Sequence, residues 1–403
     1  MDMLNEVLNE IKPSEKEQKS VKATTRSFMQ KLITNLKQHK VEVQLGGSIA
    51  KDTFLKNNHD ADVFVRFDYK KYYSKDISEI LAEAVASMET ERIHGSRDYF
   101  KVQHKGIIFE IVPVLKVDKA EKAVNVTDMS PLHVSWVKRK VKNKPQLKDE
   151  VRLAKQFCKA NRVYGAESYI GGFSGHVLDI LIIYYGSFKN FLKASLEWKE
   201  KQVIDPEKHG KKLNISKITP LIVIDPIDPT RNAAAALSKE MIRRFQGAAK
   251  KFLEKPAKKF FRIEKITKDK ILKKYPNAVI VEAKGVEGRD EAVGGKLLKV
   301  KQHIEKNLNE FEVEKADWCW QETALMWFVT KKQRVPRYFE RQGPPLKKKE
   351  NARKFKKMHP DYYVKGDFLF AKIRREHTTV SSKVKSLIND EYVKERVSEI
   401  WKS

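Results

Sequence analysis

A chain of 403 residues that is 41% apolar and 10% aromatic, with 17 Gly and 14 Pro, is composed as a folded protein of two or three domains and not as a fibre or a disordered chain. Its longest near-continuous apolar run, Val177 to Phe188, is broken by Asp179 and Gly186 and falls short of the roughly 20 residues a spanning helix needs. Lys and Arg number 82 against 53 Asp and Glu, leaving +29, a field that attracts polyanions; a solvated lysine-rich surface of the thermophile kind is the alternative.

Residues 1–12 alternate charge with Leu and Val and lack a secretory core, so a cytoplasmic location with no membrane partner is expected. Val7, Leu8 and Ile11, then Val21, Phe28, Leu32 and Leu36, recur at helical spacing, and Pro13 with Ser14 as a capping neighbour divides them into two helices. Val41 to Leu45 alternates as a strand, Gly46-Gly47-Ser48 turns, a short helix is expected over Ile49 to Leu55, and Ala61 to Phe67 is a second strand. A helix around Ile77 to Met88 precedes strands at Tyr99 to His104 and Ile107 to Leu115, joined by a Lys105-Gly106 turn. Residues 1–130 thus read as an α+β head with a mixed sheet. Helical patterns over Asp149 to Ala160, Gly172 to Tyr185 and Lys189 to Lys199 make residues 131–256 a mostly α second unit. Beyond Pro256, strands are expected at Phe260 to Ile266, Ala278 to Ala283 and within Asp317 to Phe328, with a helix at Gly295 to Leu308. Residues 257–403 then form a basic α+β unit, and the whole chain is α+β and multidomain. Cys158 and Cys319 stand far apart without a CxxC or clustered His, which points to packed thiols and not to a disulfide or zinc site.

The positive charge is concentrated. Between Lys331 and Arg375 sixteen Lys and Arg face four acids, a net +12. Tyr338, Phe339, Phe355, Tyr362, Tyr363, Phe368 and Phe370 interleave with them, either to stack on bases while the cations meet phosphates or as the core of a small domain.

The chemistry concentrates elsewhere. On a strand, side chains at i and i+2 share a face, so Asp60 and Asp62 project together and their mutual repulsion calls for a cation. A third acid, Glu110, stands in the otherwise apolar run Phe109-Glu110-Ile111-Val112-Pro113. Gly46-Gly47 permits a backbone that points N–H groups at an anion, and Ser48 adds a hydroxyl at a helix start. Oxygen-only acidic ligands suit Mg2+, and three carboxylates beside a phosphate cradle describe two-metal phosphoryl or nucleotidyl transfer. Asp225 and Asp228, each before or near Pro, read as turn formers.

These residues resemble the DNA polymerase β-like nucleotidyltransferases, and among them the archaeal class I CCA-adding tRNA nucleotidyltransferases. The resemblance runs through Ile11-Lys12-Pro13-Ser14, Gly47-Ser48-Ile49-Ala50-Lys51-Asp52-Thr53-Phe54-Leu55 and Ile111-Val112-Pro113-Val114 in the head. It continues through Val151 to Lys155, Val163 to Glu167, Gly172-Phe173-Ser174-Gly175 and Asp225 to Ala234 in the neck, and Arg337 to Phe355 in the body. One departure is an exchange of ligand lengths: the family's Glu-x-Asp and third-strand Asp read here as Asp60-x-Asp62 and Glu110, with the charge count unchanged.

The resemblance implies a polymerase β-like head, a helical neck and an RNA-binding body and tail. It implies template-independent addition of C, C and A to the tRNA 3′ end from CTP and ATP with two Mg2+ held by Asp60, Asp62 and Glu110. It assigns Gly47, Ser48 and Lys51 to the triphosphate, with Ser130, His133, Lys155, Tyr164 and Ser174 closing the nucleotide pocket and Arg231 at the base edge. Arg337, Arg341, Lys347, Lys348, Lys349, Arg353 and Lys354 would meet the tRNA at its acceptor end and upper half; DNA is not an expected partner, and a homodimer stays open. A poly(A) polymerase or oligoadenylate synthetase type of enzyme would share the acids, and a non-catalytic RNA-binding protein is the remaining alternative.

Overall fold

The computed structural model describes residues 3–210, 213 and 219–403. The chain divides into two compact units, residues 1–264 and 265–403. No helix among the described residues is long and apolar enough to cross a membrane.

In the first unit, helices α1 (Met3–Ile11) and α2 (Glu15–Asn35) are separated at Pro13, and Ser14 caps α2 by accepting from the Glu17 N–H, as the sequence pattern requires. There follow β1 (Val41–Leu45), α3 (Gly47–Lys51), β2 (Asp60–Asp68), α4 (Tyr69–Tyr72), α5 (Ile77–Val85), β3 (Thr90–Ile93), β4 (Tyr99–His104) and β5 (Ile107–Lys116). The strands form one sheet in the order β1-β2-β5-β4-β3. Only β2 and β5 run parallel, so the sheet is mixed, as expected. Phe28 of α2 stacks on Phe109 with ring centroids 3.9 Å apart, and both are buried in the core beneath the sheet. Strand β3 was not legible, being short, polar and at the sheet edge.

The rest of this unit is mostly helical: α6 (Ser130–Val141), α7 (Leu147–Ala160), α8 (Gly175–Tyr185), α9 (Phe188–Leu196) and α10 (Lys239–Glu254), with a small parallel pair β6 (Gln202–Ile204) and β7 (Leu221–Val223). Phe157 of α7 is fully buried among Phe188, Phe245, Phe252, Phe260 and Phe261. That cluster overturns the strand expected at Phe260 to Ile266. Phe261 enters the aromatic core from a 3-10 turn, Lys258–Phe261, and the following residues form no strand.

Two helix boundaries also differ from expectation. Helix α3 starts at Gly47, not Ile49, and ends at Lys51 because Asp52 takes a left-handed conformation, φ 54°. Helix α8 starts at Gly175, not Gly172, because Phe173 pairs with Tyr164 in a parallel bridge and a Cβ at Gly172 would lie 2.4 Å from the Val163 carbonyl oxygen.

The second unit opens with α11 (Lys268–Lys274), β8 (Val279–Gly285), α12 (Asp290–Asn307), β9 (Val313–Trp320) and β10 (Ala324–Thr330), and closes with α14 (Val380–Leu387), α15 (Glu391–Lys394) and β14 (Val397–Lys402) after the segment described next. Its main sheet runs β14-β8-β10-β9, with Leu297, Val300 and Ile304 of α12 in the core. Between β10 and α14 lies a second sheet, β11 (Tyr338–Pro345), β12 (Tyr362–Lys365) and β13 (Phe368–Arg374) in the order β11-β13-β12, with α13 (Lys349–Met358) packed on one face through Ala352 and Phe355. A Cβ at Gly343 would sit 2.8 Å from the Phe355 ring, so only glycine lets helix and sheet approach here.

Candidate active site and basic surface

Strands β2 and β5 are adjacent, parallel and in register, with Asp62 opposite Glu110. Strand geometry puts Asp60, two residues before Asp62, on that same face. The three candidate acids therefore share one patch of two neighbouring strands. The Gly46 N–H donates to the Asp62 carbonyl at 2.7 Å, which places the turn into α3 against the acidic strand. Gly47 takes φ +56°, and a Cβ there would lie 1.7 Å from Asp62 Oδ2. A residue with a side chain at 47 cannot coexist with this carboxylate position, so Gly47 is required by the acid it faces.

The acids differ in setting. Asp60 is exposed and accepts from Asn58 at 3.1 Å, while Glu110 is part-buried and lies 3.3 Å from Lys101 Nζ. Burial, then the charge of Glu110, pushes the Asp62 carboxyl up to about 6, against the opposing pull of Lys51. A half-buried carboxylate disfavoured as an anion by its neighbour is what a hard divalent cation relieves, and three carboxylate donors fit Mg2+ chemistry.

Helix α7 lays a row of cations, Arg152, Lys155 and Lys159, along the loop that follows α3. Arg152, 1% exposed, donates to the Phe54 carbonyl at 3.0 Å and to Asp52 Oδ1 at 2.8 Å; Lys155 Nζ donates to Thr53 Oγ1 at 3.0 Å and its carbonyl at 3.2 Å; Lys159 Nζ reaches Asn58 Oδ1 at 2.8 Å. Sequence reasoning found Lys155 and missed Lys159, although their i, i+4 spacing on one helix face was available as a signal. Lys159 also lies 5.2 Å from the centre of the partly buried Tyr164 ring, and desolvation pushes the Tyr164 hydroxyl up. Lys51 of α3 pairs with Asp179 of α8, a fully buried residue that was not anticipated as part of the site.

A second buried acid, Asp225, gathers His133, Arg231 and His176. His133 Nε2 lies 2.8 Å from its Oδ1, Arg231 Nη1 donates to Oδ2 at 3.1 Å, and His176 Nε2 is 3.9 Å from Oδ2. Burial pushes the Asp225 carboxyl up, but the hydrogen bond and charge of His133 win and hold it well below the usual carboxylate range. Burial and the neighbouring His133 bring His176 down to about 3, so it is neutral. Asp225 does form the expected turn, accepting from the N–H groups of Ile227 and Asp228 at 2.9 and 3.2 Å. It also ties the His133 and Arg231 side chains together. The ligand atoms of His133, His176 and Asp225 lie within 4.8 Å of one another, close enough to hold a metal, but the guanidinium and the turn N–H groups already occupy the carboxylate.

The remaining candidates are plainly placed. Ser130 is the first residue of α6, and Ser174 caps α8, accepting from the Val177 N–H at 3.1 Å. A polar cavity of about 340 Å³ bounded by Tyr72, Arg92, Arg97 and Asp98 is lined by none of the candidates.

In the second unit, Arg337, Arg341, Lys347, Lys348, Lys349, Arg353 and Lys354 are all exposed. Lys348 and Lys349 open α13, where the helix dipole disfavours cations unless an anion joins them. The register of the small sheet puts Tyr338, Tyr363, Phe370 and Lys372 on the face away from α13. Tyr363 stacks on Phe370 with centroids 6.0 Å apart, and Lys372 lies 5.1 Å from the Tyr338 ring centre. The interleaved aromatics thus divide: Phe355 is core, while Tyr338, Phe339, Tyr362, Tyr363 and Phe368 are exposed.

The mixed sheet with its in-register acids and Gly-Gly-Ser turn defines a nucleotidyltransferase of the polymerase β-like class. Solved structures of that fold agree: the Cid1 poly(U) polymerase superposes with a TM-score of 0.53 at 17% identity over 65% of this chain and 98% of its own, and E. coli MS115-1 CdnC with ATP gives 0.50 at 16% over 64% and 94%. Residues 1–144 match the Second Messenger Oligonucleotide or Dinucleotide Synthetase domain, 149–262 the tRNA nucleotidyltransferase second domain, and 286–400 the CCA-adding enzyme C-terminal domain. CCA-adding enzymes of Methanocaldococcus jannaschii, 30% identical over 96% of this chain and 90% of theirs, and of Nanoarchaeum equitans, 43% identical over 50% and 52%, extend the likeness. The chain belongs to the CCA-adding enzyme family.

Proposed function

We propose that this enzyme extends the 3′ end of tRNA with C, C and A without a template, consuming CTP and ATP and releasing pyrophosphate in the cytoplasm. The observation that carries the reading is Asp62 in register with Glu110, with Asp60 on the same face and the Gly47 turn packed against Asp62. Residues 1–130 act as the catalytic head, 131–256 as the neck that closes the nucleotide pocket, and 257–403 as body and tail for the tRNA, although the stretch to residue 264 packs with the neck. Asp60, Asp62 and Glu110 would hold two Mg2+, which when bound supply neutralisation of the phosphates and acidify the attacking hydroxyl.

The chain's own groups do the rest. The turn at Gly47 and Ser48, with Lys51 and Lys155, holds the triphosphate so that the α-phosphorus faces the acids. The terminal ribose 3′ oxygen bonds to that phosphorus, its proton passing to one of the three carboxylates, and pyrophosphate leaves toward the two lysines. His133, Tyr164 and Ser174 border the pocket with Ser130, and Arg231, fixed by Asp225, reads the base edge. The exposed cations Arg337, Arg341, Lys347, Lys348, Lys349, Arg353 and Lys354 hold the acceptor end and upper half of the tRNA through its phosphates.

The test is the product ladder on tRNA lacking its CCA end. The reading expects C additions with CTP alone and a complete CCA only when ATP is also supplied. A long homopolymer from ATP alone would replace it with a poly(A) polymerase activity, and no extension at all would remove the catalytic reading.

A further inference from the structure

We propose that Asp179 is a positioning residue for nucleotide binding: from the centre of α8 it holds Lys51, and by its charge Lys155, where the triphosphate arrives. The inference rests on the reading that these two lysines bind the triphosphate.

Asp179 sits inside the apolar helix run Val177-Leu178-Asp179-Ile180-Leu181-Ile182, every residue of which is buried. An anion there is costly unless paired. Its Oδ2 accepts from Lys51 Nζ, while Oδ1 has no hydrogen-bond partner among the described residues. Lys155 lies close enough that its charge, after that of Lys51, offsets the burial that pushes Asp179 up, so the carboxyl stays below its ordinary range. Lys51 and Lys155 are themselves 9% and 4% exposed.

One buried carboxylate therefore pairs with the Lys51 ammonium and acts by charge on that of Lys155, which is held by Thr53. Without Asp179 they would repel one another in a dry pocket, and the site would either lose a proton or swing a lysine out to water. With it, both lysines are held in place before the ligand comes, with donors available to phosphate oxygens. Preorganisation of this kind spares the nucleotide the work of gathering its own donors. The carboxylate touches no reacting atom; its effect passes through Lys51 and, by charge, through Lys155.

The experiment uses the full chain, CCA-less tRNA, and CTP and ATP separately, with Asp179→Asn, Lys51→Met and the double variant compared by KM, single-turnover rate and tRNA Kd. Asp179→Asn is expected to raise KM for both nucleotides alike by about tenfold or more while tRNA Kd stays put. In the Lys51→Met background the same change is expected to cost clearly less than in the wild type, because only its effect on Lys155 remains. Asp179→Glu, which keeps the buried charge, restores KM to within about threefold of wild type. If Asp179→Asn does not fold, Asp179→Ser is held to the same criteria. An unchanged KM in the folded variant, or losses that multiply with those of Lys51→Met, overturns the proposal. Should Lys51→Met itself leave KM unchanged, it is the triphosphate reading that fails, and the two failures are told apart by that single variant.

Discussion

The two positively charged regions of this enzyme handle their charge in opposite ways. Around the nucleotide site the candidate donors Lys51, Lys155, His133 and Arg231 are each held by an internal acceptor: Asp179, Thr53 or Asp225. On the small sheet of the second unit the candidate cations stand in solvent, several at the start of α13 where the helix itself disfavours them. Buried, fixed charges suit one ligand in one pose and are little screened by salt; exposed charges suit a long polyanion gripped at many phosphates, with an affinity that falls as salt rises. On the proposed reading, the difference gives chemistry to the first region and grip to the second.

The sharpest way to break that division is at the acids. Glu110→Ala is expected to lower the single-turnover rate of nucleotide addition by about a thousandfold or more, whereas Glu110→Asp, which restores the length usual in the family, retains partial activity. Near-normal turnover of the Ala variant at saturating Mg2+ would remove Glu110 from the site. Next in size is stability. Phe157 anchors the opposite side of the helix that carries Arg152, Lys155 and Lys159, and Phe157→Ala is expected to destabilise the first unit by about 3–5 kcal/mol, read by denaturant unfolding.

How much of this was legible from sequence depends on whether the signal was local. Asp60 and Asp62 declare themselves by strand alternation, and Pro13, Ser14 and Lys105-Gly106 declare turns and caps by their own chemistry. Lys105 and Gly106 indeed take φ 48° and 76°. Asp179 was visible only as an interruption of an apolar run, and Asp225 only as a turn former. Each gains its further role from a residue 128 or 92 positions away, Lys51 and His133 respectively, which no local pattern reports. The strand expected at Phe260 to Ile266 failed for the same reason: its β-like composition was claimed by the distant aromatic cluster around Phe157.

The buried charges also set a pH dependence. Burial brings Lys155 down to about 8; Asp179 opposes this, and the charges of Lys51 and Arg152 add to it. As pH rises through about 8 the ammonium is lost in the free enzyme, so KM for CTP and ATP is expected to climb between pH 7 and 9, and Lys155→Arg is expected to flatten that climb. Because the folded value lies below the ordinary 10.5, this group's contribution to stability is present at high pH and is lost as pH falls through 8, opposite in sign to its effect on binding. The gentlest effect is on the exposed surface. Neutralising Lys347, Lys348 and Lys349 together is expected to flatten the plot of log K for tRNA against log salt by about 0.7 to 0.9 for each phosphate that these lysines no longer neutralise, with CTP binding hardly moved. Superposable lines would mean these lysines never meet the RNA.

The separation of chemistry from grip is tested most directly in Asp62→Asn, by measuring on one preparation the single-turnover rate of CTP addition at saturating tRNA and the Kd for that tRNA. The account predicts a rate lower by several orders of magnitude with an unchanged Kd, since the half-buried carboxylate faces Glu110 and Gly47 and, on the proposed reading, the RNA is held by the exposed cations of the second unit. A rate near that of the wild type, or a Kd that weakens in step with the rate, would contradict it.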